Sequence, residues 1–128
     1  KRLDQFILRR HEIAKFYDEQ FVDLPLKFQQ TTPEKYSGMH LYVLRLLKGK
    51  MKKSRQKVFD ELRENDIGVN VHYIPIHLQP FYRKFGFQEG DFAEAESYYK
   101  EAISLPIYPD LADEEINSII NTVRKCVG

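Results

Sequence analysis

The strongest constraint on this chain is a helical stripe that begins with its first residues. Leu3, Phe6, Ile7, Arg10, Ile13, Ala14 and Tyr17 recur at helical spacing, while Asp4, Gln5, Arg9, Glu12 and Lys15 point toward water. A helix patterned this way must lay one side against another layer, so the remaining residues have to supply that layer. No Ser, Thr, Pro or Gly start signal precedes the stripe. The expectation is a helix from before Lys1 to about Phe21, as in a piece of a longer polypeptide.

The segments that follow read as the partner layer. Pro25 and Pro33 bracket a loop, because each removes a backbone donor and restricts its predecessor. The run His40-Leu41-Tyr42-Val43-Leu44-Arg45-Leu46 is apolar, aromatic and β-branched, and predicts a strand. A helix is expected from about Ser54 to Asn65, with Ser54 as its cap and Val58, Phe59 and Leu62 on one side. Ile67-Gly68 is an exit signal, after which Val69-Asn70-Val71-His72-Tyr73 alternates like a second strand until Pro75 ends it.

Residues 76–90 combine Pro80, Gly86 and Gly90 with Phe81, Tyr82, Phe85 and Phe87, an irregular aromatic segment with one short helix near 81–84. A helix over 92–102 leads to a third strand, Ile103-Ser104-Leu105-Pro106-Ile107, which its proline keeps at an edge. The last helix starts near Asp113, with Glu114 and Glu115 at its positive end and Ile116, Ile119, Ile120, Val123 and Val127 as its stripe. Strand, helix, strand in direct order predicts a right-handed crossover. The fold class is α/β, a two-layer sandwich of a small sheet of about three strands with flanking helices, in one domain spanning residues 1–128.

Composition narrows the function classes. Apolar residues at 42% and charged residues at 30% fit a soluble globular domain rather than a disordered one. No apolar run approaches the roughly 20 residues that span a bilayer, and no signal-peptide pattern opens the chain. Neither a membrane nor secretion is expected. Cys126 is the lone cysteine, which excludes an internal disulfide and suits a reducing cytoplasm. A net charge of +1 argues against a nucleic-acid partner. Residues 1–64 nevertheless hold 15 basic and 9 acidic side chains, and residues 65–128 hold 5 and 10, so opposite charges are expected to meet across the folded surface.

Chemistry is weakly marked by the residues alone. His72 and His77 lack a third ligand, and a five-residue step in extended chain sends their rings to opposite faces, so no metal site is expected. One packed and one exposed histidine is the plainer reading, with a substrate-binding role beside it. Lys48, Lys50, Lys52, Lys53, Arg55 and Lys57 read first as a solvated loop and helix start, and second as a phosphate contact. Interleaved aromatics for base stacking are missing from that run. Cys126 reads as a small apolar residue in a helix end. Glu94 and Glu96 do not face each other on a helix, and Glu114 and Glu115 are solvated.

Taken in order, several strings resemble one family: Arg10-His11-Glu12-Ile13-Ala14-Lys15-Phe16-Tyr17, and Tyr36-Ser37-Gly38-Met39-His40-Leu41-Tyr42-Val43-Leu44-Arg45. Arg55, Leu62 and Gly68 follow, then Val71-His72-Tyr73-Ile74-Pro75-Ile76-His77-Leu78-Gln79-Pro80-Phe81-Tyr82, Ala93-Glu94 and Ile103-Ser104-Leu105-Pro106-Ile107-Tyr108-Pro109. Together they resemble the C-terminal third of the DegT/DnrJ/EryC1/StrS sugar aminotransferases, over essentially the whole chain. Within that family the chain most resembles the branch making 4-amino-4,6-dideoxy sugars on a UDP carrier for bacterial surface glycans.

The resemblance implies the small C-terminal domain of a fold-type-I aminotransferase, closing over an active site built by a large N-terminal domain. It implies pyridoxal phosphate in the full-length enzyme, glutamate as amino donor, a nucleotide-linked 4-keto-6-deoxy sugar as acceptor, and a homodimer. It also implies that His72, Tyr73, Pro75, His77 and Gln79 face the substrate side of the cleft. Tyr73 would offer its hydroxyl to a sugar or phosphate oxygen, His77 would donate to a phosphate or shield the keto group, and Pro75 would stiffen the turn. None of the twelve lysines matches the family's Schiff-base lysine, so this chain alone is expected to bind no cofactor and to be inactive.

Two positions depart from the family pattern. Phe92 stands where many members have proline, and Ala112 replaces a Ser or Thr cap unless Asp113 takes over. Two other readings stay open: a stand-alone binding or regulatory module with the same small-domain fold, and a nucleic-acid-binding domain using the basic run at 45–57, which salt-dependent binding would reveal.

Overall fold

The computed structural model describes residues 2–30, 32 and 34–128; the expected helix start at Lys1 and loop bracket at Pro33 lie outside them. Helix α1 spans Arg2–Phe21 and buries Ile13, Ala14, Tyr17 and Phe21. Its expected stripe meets the core only over its second half, because Leu3 and Phe6 remain exposed.

Strands β1 (Leu26–Lys27), β2 (Tyr42–Leu46) and β3 (Ala102–Leu105) form one antiparallel sheet in the order β1-β2-β3. Leu26 pairs with Leu46, and Tyr42 through Arg45 pair with Leu105 through Ala102. On β2, Tyr42, Leu44 and Leu46 turn into the core while Val43 and Arg45 lie on the other face. Arg45 donates twice to Glu101 Oε2, at 3.0 and 2.7 Å, and its guanidinium lies over the Tyr98 ring. Both partners belong to the helix Ala93–Glu101, which lies beside that face.

Helix α2 (Arg55–Glu64) is capped by the Ser54 side chain, which accepts from Lys57 N at 3.2 Å as the sequence indicated. A 3-10 turn at Ile76–Leu78 runs into the one-turn helix α3 (Pro80–Arg83). Helix α4 (Ala93–Glu101) passes directly into β3. Helix α5 (Asp113–Val127) buries Ile116, Ile119, Ile120, Val123 and Val127, its predicted stripe, together with Cys126. These side chains join Val58 and Leu62 of α2, Tyr17 and Phe21 of α1, and the inward residues of β2 in one core. At about 1.5–3 kcal/mol for each large apolar side chain removed from water, this shared core is what holds the helices to the sheet.

Two expectations are corrected. The alternating run 69–73 forms no strand; only Asn70 bridges to Ser104, donating at 3.2 Å and accepting at 2.8 Å. In that register Val71 would face Ile103 of β3, but the His72 imidazole instead bonds the Ser104 side chain and the run leaves the strand after one bridge. Second, the stretch after Pro25 contains β1, too short to show a period. β2 and the Asn70 bridge are both antiparallel to β3, so the chain leaving α2 returns parallel to β2 with β3 between them.

The start of α5 resolves the missing cap differently from expectation. Ala112 offers no side-chain acceptor, and Glu115 Oε2 reaches back to accept from Ala112 N at 2.9 Å. Asp113 instead accepts from Arg9 at 2.7 Å. That pair and Arg45–Glu101 join the basic first half of the chain to the acidic second half.

Candidate functional site

The segment 72–79 leaves the bridge at Asn70 and passes in front of β3 and α4. His72 is half-buried, and its Nδ1 lies 2.8 Å from Ser104 Oγ on β3. The His72–Tyr73 peptide is cis. Tyr73 stands outward, 71% exposed, with its ring edge-on to His72 at 4.6 Å. Ile74 and Ile76 are also exposed, whereas Pro75 between them is buried. Proline has a fixed φ and no N–H to satisfy, so it suits an inward bend between two outward residues.

His77 turns inward on the 3-10 turn and is 6% exposed, its Nε2 2.8 Å from Glu96 Oε1 on α4. The Phe92 ring lies 4.8 Å from the imidazole. The same Glu96 oxygen accepts from Gly90 N at 2.7 Å. His77 and that backbone N–H hold the Glu96 carboxyl below its ordinary range, against the opposing effect of burial. Gln79 is exposed at the junction between the 3-10 turn and α3.

Ile76, His77, Tyr82, Phe87, Phe92 and Ala95 line an apolar recess of about 410 Å³. The five candidate residues thus form one strip, but only Tyr73 and Gln79 present polar tips to solvent. In the sequence Glu96 is one of two helix acids that do not face each other. Its signal lay in helical spacing: it falls four residues after Phe92 and three before Tyr99, so it continues an apolar face. An acid on such a face must find a partner to be buried.

The basic run 48–57 is a loop leading into α2. Lys53 is held by Glu61 at 2.6 Å, and the Arg55 guanidinium lies over the Tyr99 ring at 5.5 Å.

The sequence model of the DegT/DnrJ/EryC1/StrS aminotransferase family matches residues 1–124. The chain belongs to this family. It is 39% identical to the spore coat polysaccharide biosynthesis protein SpsC of Bacillus subtilis, over 99% of this chain and 33% of SpsC. It is 31% identical to the UDP-4-amino-4,6-dideoxy-N-acetyl-beta-L-altrosamine transaminase of Campylobacter jejuni, over 98% of this chain and 35% of that enzyme. The apo form of the putative sugar aminotransferase Spr1654 from Streptococcus pneumoniae superposes with a TM-score of 0.88 at 30% identity, over 98% of this chain and 31% of that one. The chain spans about a third of the length of these DegT/DnrJ/EryC1/StrS relatives.

Spr1654 is also known in PLP and PMP forms, which raises the question of what this chain offers such a cofactor. A Schiff-base lysine has to stand in a sheltered site. Every lysine among the described residues is exposed except the half-buried Lys53, whose ammonium is tied to Glu61. Among the described residues, no lysine stands in the sheltered position that a Schiff base to pyridoxal phosphate needs.

Proposed function

We propose that this chain is the C-terminal small domain of a PLP-dependent sugar aminotransferase. The enzyme transfers an amino group from glutamate to a nucleotide-linked 4-keto-6-deoxy sugar for bacterial surface polysaccharide. In this reading the Schiff-base lysine and the cofactor phosphate site lie in the remaining two-thirds of the polypeptide, the enzyme is a homodimer, and the chain by itself is inactive. What carries the reading is a match to an aminotransferase family along nearly all of a chain that spans only a third of its relatives.

His72, Tyr73, Pro75, His77 and Gln79 form the substrate-facing strip. Tyr73 is the contact group, because its phenol is an exposed hydrogen-bonding tip beside His72. Gln79 offers a second polar tip. Pro75 and the inward-turned His77 give the strip its shape, and His72 lies beside the Tyr73 ring. These residues bind and orient the nucleotide sugar; they do not move the proton at its reacting carbon.

Two experiments test this. In the full-length polypeptide, Tyr73→Phe and His77→Ala are expected to raise KM for the nucleotide sugar, and unchanged kinetics in both would remove the strip from the site. With the 128-residue chain, pyridoxal phosphate followed by borohydride is expected to leave no adduct. A stable adduct on one lysine would contradict the placement of the cofactor outside this chain.

A further inference from the structure

We infer that Glu96 and Ser104 are positioning residues for the nucleotide-sugar strip, acting through His77 and His72 rather than by touching substrate. The inference rests on the proposed role of that strip. The geometry behind it is a short strap bonded at both ends: His72 to Ser104 of β3, and His77 to Glu96 of α4.

Between the anchors lie Tyr73, Ile74, Pro75 and Ile76. Three of these point outward, and the proline at the centre is buried with its φ restrained. A four-residue strap with both ends bonded and its middle packed has little freedom, so the anchors determine where the Tyr73 hydroxyl stands.

The Glu96 anchor is the stronger one. His77 and Glu96 are both nearly fully buried, where a charge-assisted hydrogen bond is worth more than a neutral one. The carboxyl is held in its ionised form and can only accept, so the bond requires the proton on His77 Nε2. That choice of donor nitrogen fixes the tautomer of a neutral imidazole. Oε1 also accepts from Gly90, so one oxygen closes the loop from 77 to 90 as well. Gly90 has φ +101°, a conformation that a residue with a Cβ rarely adopts, and this aims its N–H at the carboxylate. Ser104, buried on β3, provides the second anchor and also accepts from Asn70 through its backbone carbonyl.

The test uses the full-length polypeptide, with steady-state kinetics and calorimetric binding of the nucleotide sugar. Glu96→Ala is expected to raise KM and Kd for the sugar about tenfold, while kcat changes less than about twofold and KM for glutamate stays fixed. Glu96→Gln keeps an acceptor oxygen for His77 and Gly90, and is expected to restore sugar binding to within about threefold of the parent. Ser104→Ala, at the opposite anchor, is expected to shift sugar KM in the same direction by a smaller factor.

Equal losses in Glu96→Ala and Glu96→Gln, or a parallel rise in KM for both substrates, would mean that Glu96 serves only the fold and would overturn the inference. If Tyr73→Phe weakens sugar binding while the Glu96 and Ser104 variants do not, positioning fails and the strip remains a binding site. If Tyr73→Phe leaves binding unchanged, the strip's assignment fails, and the positioning role with it.

Discussion

Tyr42 Oη donates to Asp18 Oδ1 at 2.6 Å, bonding the first residue of β2 to α1. Burial pushes the phenol above its ordinary range and the neighbouring carboxylate adds to this; burial likewise raises the Asp18 carboxyl, with the phenol's hydrogen bond opposing it. Tyr42→Phe removes the donor and leaves the acceptor half-buried. We expect a loss of about 1–3 kcal/mol in urea unfolding, and a parent-like midpoint with an unchanged slope would show the pair to be energetically idle.

The start of α5 is a place to add stability. Glu115 already supplies half of a capping box, and Ala112 lacks the other half. Ala112→Ser is expected to gain about 0.5–1 kcal/mol, read as a rise in Tm. Glu115→Ala should lower Tm, since the Ala112 N–H loses its acceptor. No difference between these variants would mean that the helix end frays regardless.

Acid should destabilise the fold in a definable window. The carboxyls of Asp23, Glu61 and Glu96 are held below ordinary values chiefly by hydrogen bonds from Arg124, Lys53 and His77 respectively. Depressed folded values mean that their contribution is present above the unfolded values of 3.8 and 4.5 and is lost as pH falls through the folded ones. Asp18 has the opposite sign: its contribution is greatest below 3.8 and declines as pH rises through its elevated folded value. Urea midpoints are expected to fall between about pH 5 and pH 3, less steeply in Glu96→Gln. An identical slope in that variant would exclude the His77–Glu96 pair from the linkage.

Cys126 is buried in the last turn of α5, and burial together with the nearby Glu61 carboxylate pushes its thiol upward. Reaction with Ellman's reagent near pH 8 should be at least about tenfold slower in the native chain than in urea. Equal rates would place the thiol in solvent.

Leu62 lies almost wholly inside the core, on the face of α2 that meets α5. Leu62→Ala is expected to cost about 2–4 kcal/mol, measured by denaturant midpoint. A loss well under this would mean that α2 collapses onto α5 and closes the cavity.

The helices were legible because each carries its own record in three- and four-residue spacing. Thus the stripe from Ile116 to Val127 and the Ser54 cap appear in the structure where the sequence put them. Strand β2 was legible for a similar reason, its run of β-branched and aromatic residues being long enough to read. Leu26–Lys27 is too short for a period, and it pairs because Leu46 lies opposite it. The run 69–73 has the alternation of a strand but only one bridge, because His72 bonds the Ser104 side chain and the chain turns away from β3, a choice made by a partner 32 residues distant.

The strip at 72–79 divides in the same way. Local chemistry marked its residue types, and order along the chain marked the family, since both are written in consecutive residues. Which histidine turns inward, which acid receives it and which phenol is left outside were decided by packing. His77 meets Glu96 across 19 residues and His72 meets Ser104 across 32. Those partners come together only when α4 and β3 close against the strap, and pairing of buried polar groups over such separations leaves no trace in local spacing.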